Sequence, residues 1–257
     1  MPSQRLDRLS ALLQGLSPRV SLNEQPQGLA LHILVDRNSS VFEHSLDNMA
    51  LLVCPPLACE NKWSQIPLHQ KKWLSFDVAL DGPIAPIFLK EFVSPLLINL
   101  KHAEASLAQI VYLIASEMTA TRCGQPLLIN RAGDILLIGL LRHLVAQPKS
   151  STGLFTALAN PRIAKILVAM HEDVSKNWSL EVLADQAGMS RTSFAHQFKS
   201  LMKITPGKYL ENIRLTLAQR LINDGAGLKK VASATGYASA STLSRAMGRL
   251  SEFRHEA

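Results

Sequence analysis

Cysteine is scarce in this chain, and the three present, Cys54, Cys59 and Cys123, are an odd number that cannot all pair. That count argues against a disulfide scaffold and for reduced thiols in a cytosolic setting. Cys54-Pro-Pro-Leu-Ala-Cys59 is too loosely spaced for a redox pair or half a metal site, and no second ligand pair accompanies it; both are read as structural thiols. Long apolar runs are also missing. A stretch such as Ile135 to Leu141 falls far short of the roughly 18 residues that a membrane span requires. The opening Met-Pro-Ser-Gln-Arg-Leu-Asp-Arg has no apolar signal-peptide core, which predicts a cytoplasmic protein with no membrane partner.

Catalytic signatures are absent as well. There is no Gly-x-Ser-x-Gly elbow, no P-loop, no dinucleotide fingerprint and no cluster of metal-ligating side chains. An enzyme needs a convergent nucleophile and base or paired carboxylates, so no catalytic residue, metal or cofactor is assigned.

What is present is a repeat. Leu180-Glu-Val-Leu183-Ala184-Asp-Gln-Ala-Gly188-Met189 returns 48 residues later as Leu228-Lys-Lys-Val231-Ala232-Ser-Ala-Thr-Gly236-Tyr237. At a spacing of 49, Ser190, Phe194, Phe198 and Leu201 are then answered by Ser239, Leu243, Met247 and Leu250. In each copy a short helix runs into an Ala-x-x-x-Gly step. The Ala lets two helices approach, and the Gly can take the positive φ of a tight turn. Ser190 and Ser239 stand where N-caps of the following helices belong. This is helix-turn-helix grammar written twice.

In the first copy Phe194, Phe198 and Leu201 form one buried stripe, and the other side carries Arg191, Thr192, Ser193, His196 and Lys199. Such a short cationic face can donate to base edges or phosphates in a major groove. A solvated helix face is the plainer alternative, and occurrence in tandem after the same turn weighs against it. The charge agrees: residues 161 to 257 hold 14 Lys or Arg against 8 Asp or Glu, and residues 1 to 160 hold 13 against 12. The excess positive charge lies with the repeats, where phosphate binding would need it.

A boundary is expected near Gln147 to Gly153, which is polar and turn-rich. Asn160-Pro161 then caps and opens a helix with Ile163, Ile166, Leu167, Met170 and Val174 at helical spacing. Between the two copies, Thr205-Pro206 starts a helix with Leu210, Ile213, Leu217 and Leu221 on one side, ending at Asp224-Gly225. Its roughly 18 residues make a rod of about 27 Å, which suits two recognition helices set near the roughly 34 Å repeat of successive major grooves.

From Asn160 onward the chain resembles the DNA-binding domain of AraC/XylS-family transcriptional regulators. The residues carrying the resemblance include Leu183-Ala184-x-x-x-Gly188-Met189-Ser190, Phe194-x-x-x-Phe198-Lys199 and Thr205-Pro206-x-x-Tyr209-Leu210-x-x-x-Arg214-Leu215-x-x-Ala218-x-x-Leu221. They continue with Val231-Ala232-x-x-x-Gly236-Tyr237-x-Ser239 and Leu243-Ser244-Arg245. The resemblance implies an all-α domain over 157–257. Its parts are a first helix-turn-helix at about 179–201, a linker helix at about 206–223 and a second helix-turn-helix at about 228–250. It implies a sequence-specific, non-enzymatic regulator, often an activator, with double-stranded DNA and RNA polymerase among its partners.

The DNA-contacting positions carried over are Ser190, Arg191, Thr192, Ser193, Ala195, His196 and Lys199 in the first unit. In the second they are Ser239, Ala240, Ser241, Thr242, Ser244 and Arg245. Arg214 matches a position read as structural. The second unit departs from the family pattern, with Leu243 and Met247 where Phe is usual, Gly248 where Lys is usual, and no Gly-x-Ser-Pro-x-x-Tyr-Arg closing segment. It is expected to be the less stable of the two, because a Gly within a helix costs up to about 1 kcal/mol against Ala.

Residues 1–150 read as a mixed β/α domain. Gly28 to Val35, Met49 to Val53 and Trp73 to Leu80 suit strands, whereas Pro86 to Phe92, the Leu107-Ile110-Val111-Ile114 set and Gln125 to Ala146 suit helices. Strands followed by helices ahead of the DNA-binding unit resemble the cupin-like sensor domains of such regulators, here truncated or degenerate, for an α+β chain as a whole. Metal-binding cupins use a His-x-His pair, which is absent; His32, His44, His69 and His102 stand alone and are read as core or surface residues. The implied job is binding a small-molecule effector, forming a homodimer, or both, since the two helices carry more apolar surface than a thin sheet covers. A protein-interaction module with lost or weak DNA binding is the alternative reading.

Overall fold

The computed structural model describes residues 7–37, 48–56, 66–119 and 121–255, with side chains up to residue 249. His44 and Cys59 lie outside the described residues. The chain divides into two compact units, one of Ser17–Asp81 with Pro86–Lys149, the other of Met1–Leu16, Gly82–Ala85 and Ser150–Ala257.

The first unit is a five-stranded antiparallel sheet in the order β1-β4-β2-β3-β5: β1 is Pro18–Leu22, β2 Leu29–Asp36, β3 Ala50–Cys54, β4 Gln70–Leu80 and β5 Leu96–Asn99. The three apolar runs read as strands became β2, β3 and β4. β1 and β5 escaped that reading because neither is apolar throughout; β1 alternates half-buried and exposed positions at the sheet edge. Being central, β2 is buried on both faces, which is why it reads as a continuous apolar run. One face sets Ala30 and Leu34 with Ala50, Leu52 and Cys54. His32, of the same parity, is buried between them, with Nδ1 2.8 Å from the Ser75 hydroxyl. Burial, reinforced by the nearby Lys72 charge, pushes its pKa down to about 4. His32 is a core histidine.

The short helix α2 is Ala85–Leu89, α3 is Ala105–Glu117 and α4 is Gln125–Ala146. α4 lies close upon the other face of the sheet at Gly133, where an added Cβ would come within 2.9 Å of both Phe76 and Val20. Asn130 on the same helix accepts a hydrogen bond from the Leu22 amide. Several large apolar side chains nonetheless remain exposed on the helix pair: Tyr112 and Leu113 of α3, Leu127 and Ile135 of α4.

The second unit is helical. Helix α1, Arg8–Leu16, buries Ala11, Leu12 and Leu16 and packs on α6, Pro161–Glu172, while Arg8 donates to the Leu158 carbonyl at the end of α5, Leu154–Ala159. The sequence reading assigned neither α1 nor α5. Both are short, and their apolar residues gain partners only from distant parts of the chain. The Gly82–Ala85 loop seats on α1 through hydrogen bonds from the Gly82 amide to Leu16 O and from the Ile84 amide to Gly15 O. A Cβ at Gly82 would collide with the Gly15 carbonyl, and one at Gly15 with the Ile84 side chain. No helix among the described residues is long and apolar enough to cross a membrane.

Replacing Gly82 by Ala should lower stability by about 1–3 kcal/mol through this backbone collision, or roughly 3–10 °C in melting temperature. An unchanged melt would show that the loop yields without cost.

Candidate nucleic-acid interface

Each helix of the repeat begins and ends where its local chemistry dictates. α7, Leu180–Ala187, is capped by Ser179, whose hydroxyl accepts from the Val182 amide, and it stops at Gly188 in the left-handed conformation, φ 64°. α8, Arg191–Met202, follows after Ser190, whose hydroxyl accepts from the Ser193 amide. α9, Pro206–Asn223, is capped by Thr205 and opens with Pro206, and Gly225 turns the chain out of it at φ 86°. α10, Leu228–Ala234, turns at Gly236, φ 74°, into α11, Ala240–His255, where the Ser239 hydroxyl accepts from the Thr242 amide. A left-handed turn and a serine cap thus recur in both copies.

α9 is shared by the two helix-turn-helix pairs. Toward its start, Tyr209 meets Phe198 edge-on at 5.7 Å, and Phe198 meets Phe194 at 5.8 Å, with all three rings fully buried. Toward its end, Leu215 and Ala218 join Val231, Ala232, Leu243 and Ala246 in a second core, with Tyr237 and Met247 at its margin. Leu217 and Leu221, expected on the buried side, are only half-buried. The second core has no such aromatic trio; its residues are smaller, as the departures at Leu243 and Met247 foretold.

Arg214 fixes the middle of α9. Its Nε donates to Val174 O at 3.0 Å and one terminal nitrogen to Lys176 O at 2.7 Å. Gly236 leaves no room beside it, since a Cβ there would stand 2.7 Å from that same guanidinium and against Ser175 O. One arginine thereby ties the segment entering the first helix-turn-helix to the turn of the second. Burial lowers the pKa of Arg214 from its ordinary value, while Tyr237 and Asp173 act in the opposite direction. At the start of α9, His171 of α6 places Nε2 2.6 Å from the Tyr209 hydroxyl. Burial pushes the His171 pKa down to about 3, so the ring is neutral at ordinary pH.

The sequence-chosen residues fall on one face of each second helix. Arg191, Thr192, Ser193, His196 and Lys199 are exposed on α8 and Ala195 is half-buried, opposite the buried Phe194 and Phe198. On α11, Ser241, Ser244 and Arg245 are exposed while Ala240 and Thr242 are half-buried, opposite Leu243 and Ala246. Ser190 and Ser239 are exposed and serve as caps. Lys229 and Lys230, not singled out from sequence, are exposed on α10.

Two family models cover most of this chain: a helix-turn-helix domain over residues 183–252 and a cupin over residues 26–146. The transcriptional regulator AlkR of Acinetobacter baylyi is 34% identical over 161 residues, 60% of this chain and 53% of that protein. An AraC-like transcription regulator of Streptomyces lividans is 34% identical over 139 residues, 53% of this chain and 46% of that protein. The relatives matched are transcriptional regulators, AraC-like ones among them.

The helix-turn-helix match falls within the helical unit, and the cupin match falls largely within the unit of sheet and helices. AraC-type regulators are not enzymes. The chain spans about half the length of the curated relatives it matches. Among solved structures, ToxT of Vibrio cholerae aligns over 90% of this chain and 89% of that one at 13% identity, with a TM-score of 0.36.

His171 gives this unit a pH dependence. A histidine held neutral by burial contributes stability that is complete above its unfolded pKa of about 6.5 and is lost progressively as pH falls towards about 3. Between pH 7 and pH 5 the loss should be about 2 kcal/mol. Denaturant titrations at the two pH values check this, and His171→Gln should flatten the difference.

Proposed function

We propose that this chain is an AraC-type, sequence-specific DNA-binding transcriptional regulator that inserts α8 and α11 into successive major grooves. The observation that carries this reading is the pair of capped second helices, each buried on one side and polar on the other, braced on a single linker helix. The contacts to bases and phosphates come from Arg191, Thr192, Ser193, Ala195, His196 and Lys199, with Ser190 at the cap. On the second helix they come from Ala240, Ser241, Thr242, Ser244 and Arg245, with Ser239 at its cap. Residues 1–150 serve effector sensing and dimerisation, apart from α1 and Gly82–Ala85, which pack with the helical unit, and residues 157–257 serve DNA binding, acting in the cytoplasm.

Control comes from a small ligand bound by the cupin-like unit or from dimerisation through it, and RNA polymerase is the protein partner at the promoter. The exposed Tyr112, Leu113, Leu127 and Ile135 support a homodimer, since clustered apolar side chains on a helix pair are unfavourable in water and mark contact surfaces. Tyr112→Glu with Ile135→Glu should leave a monomer in sedimentation experiments, and a wild type already monomeric at high concentration would refute the dimer.

The DNA reading is tested by fluorescence anisotropy with duplexes from upstream of the chain's own and neighbouring genes, set against random duplex. Arg191→Ala should weaken binding by roughly 5- to 100-fold and relax sequence preference, as expected for loss of a base-contacting arginine. A wild type with no preference over random duplex at moderate salt would refute sequence-specific regulation. That result would favour the protein-interaction alternative.

A further inference from the structure

We infer that the second helix-turn-helix holds the duplex by phosphate contacts from Lys229 and Lys230 on its first helix, while sequence reading falls mainly to the first helix-turn-helix. The inference rests on the DNA-binding reading above. In a docked helix-turn-helix the first helix crosses the sugar-phosphate backbone while the second enters the groove. α7 and α10 are these first helices. At the two equivalent positions α7 carries Glu181 and Val182, whereas α10 carries Lys229 and Lys230. A carboxylate at that place would repel phosphate; two ammonium groups attract it. The repeat has thus changed sign on the helix that crosses the backbone.

The surroundings of the two lysines favour the same partner. Both are exposed and line a shallow concavity of about 800 Å³ together with Gly227, Leu228, Ser233 and Ala234. Among the described residues neither ammonium has a carboxylate in ion-pair range, although Lys208 and Arg249 pair with Glu211, and Arg220 with Asp224. Lys229 and Lys230 thus give up no ion pair to a described residue when they meet a phosphate.

The recognition helix of the same unit is poorly furnished for reading bases. The Ser239 hydroxyl accepts from the Thr242 amide and lies 2.9 Å from both the Ser241 and Thr242 hydroxyls, so these groups engage one another. Ala240 has no donor, and Arg249 reaches Glu211. Arg245 is left as the long donor of that face. α8, by contrast, exposes Arg191, His196 and Lys199 together. A unit with one long donor free for the bases among the described side chains of that face, and two exposed lysines on its first helix, is built to clamp.

The test compares the full chain with the double variant Lys229→Ala/Lys230→Ala over a salt series. Two fluorescent duplexes are used, one random in sequence and one from upstream of the chain's own gene. Each phosphate contact contributes roughly 0.9 to the slope of log K against log salt, so the double variant should be shallower by about two on both duplexes. Its preference between the duplexes should stay at the wild-type ratio, and Lys229→Arg/Lys230→Arg should keep the wild-type slope. Both side chains are exposed, and circular dichroism should give unchanged melts.

An unchanged slope in a variant that still binds would overturn the clamp and leave the regulator reading standing. Loss confined to the upstream duplex would overturn it too, making the lysines base readers. Capture of a poly-glutamate peptide by these lysines, with the DNA slope unaffected, would reassign the patch to an acidic protein. A wild type that binds neither duplex removes this inference and the regulator reading together.

Discussion

The helical unit depends on one rod serving two cores. α9 buries Tyr209 among the aromatics of the first helix-turn-helix and Leu215 and Ala218 among the small residues of the second. Neither helix-turn-helix pair could bury its apolar stripe alone, because two short helices offer too little surface against the entropy of ordering them. A shared helix solves this for both at once and sets their relative disposition, which in a groove-reading protein is a functional quantity. Arg214 makes the arrangement specific through two charge-assisted bonds to backbone carbonyls, each worth more than a neutral hydrogen bond. At Gly236 only a residue without a side chain leaves space for that guanidinium.

The two halves of the repeat have diverged around this common frame. The first keeps a core of three buried aromatic rings and an exposed cationic face. The second has a lighter core and a hydroxyl-rich second helix whose side chains bond locally, and it adds exposed lysines on α10 where α7 carries Glu181 and Val182. Both halves keep the left-handed glycine and the serine cap, since without them the helices would not meet at the required angle. Covalent order survives in the turn; chemistry varies on the surface.

Much of this was legible in the residues. The Ala-x-x-x-Gly step, the caps at Ser190, Thr205 and Ser239 and the Phe194-Phe198 stripe are local rules, satisfied within a few residues of chain, and the structure obeys them. β2, β3 and β4 were visible because central strands are apolar on both faces. The edge strand β1, the four-residue β5 and the helices α1 and α5 were not, because their apolar residues are few and become meaningful only against partners far along the chain. Leu217 and Leu221 were placed too deep, because an 18-residue helix with a core at each end does not keep one buried stripe along its length.

The sequence by itself determined the tandem turns, the identity of the exposed cationic face and the family pattern, because each follows from spacing along a single helix or turn. Tertiary structure alone decided that α1 and Gly82–Ala85 join the helical unit, that Arg214 bonds to the carbonyls of Val174 and Lys176, and that Lys229 and Lys230 have no ion pair among the described residues. These are contacts between residues tens to more than a hundred positions apart. Periodicity carries no information about such pairs, and only the packed chain fixes which side chain meets which.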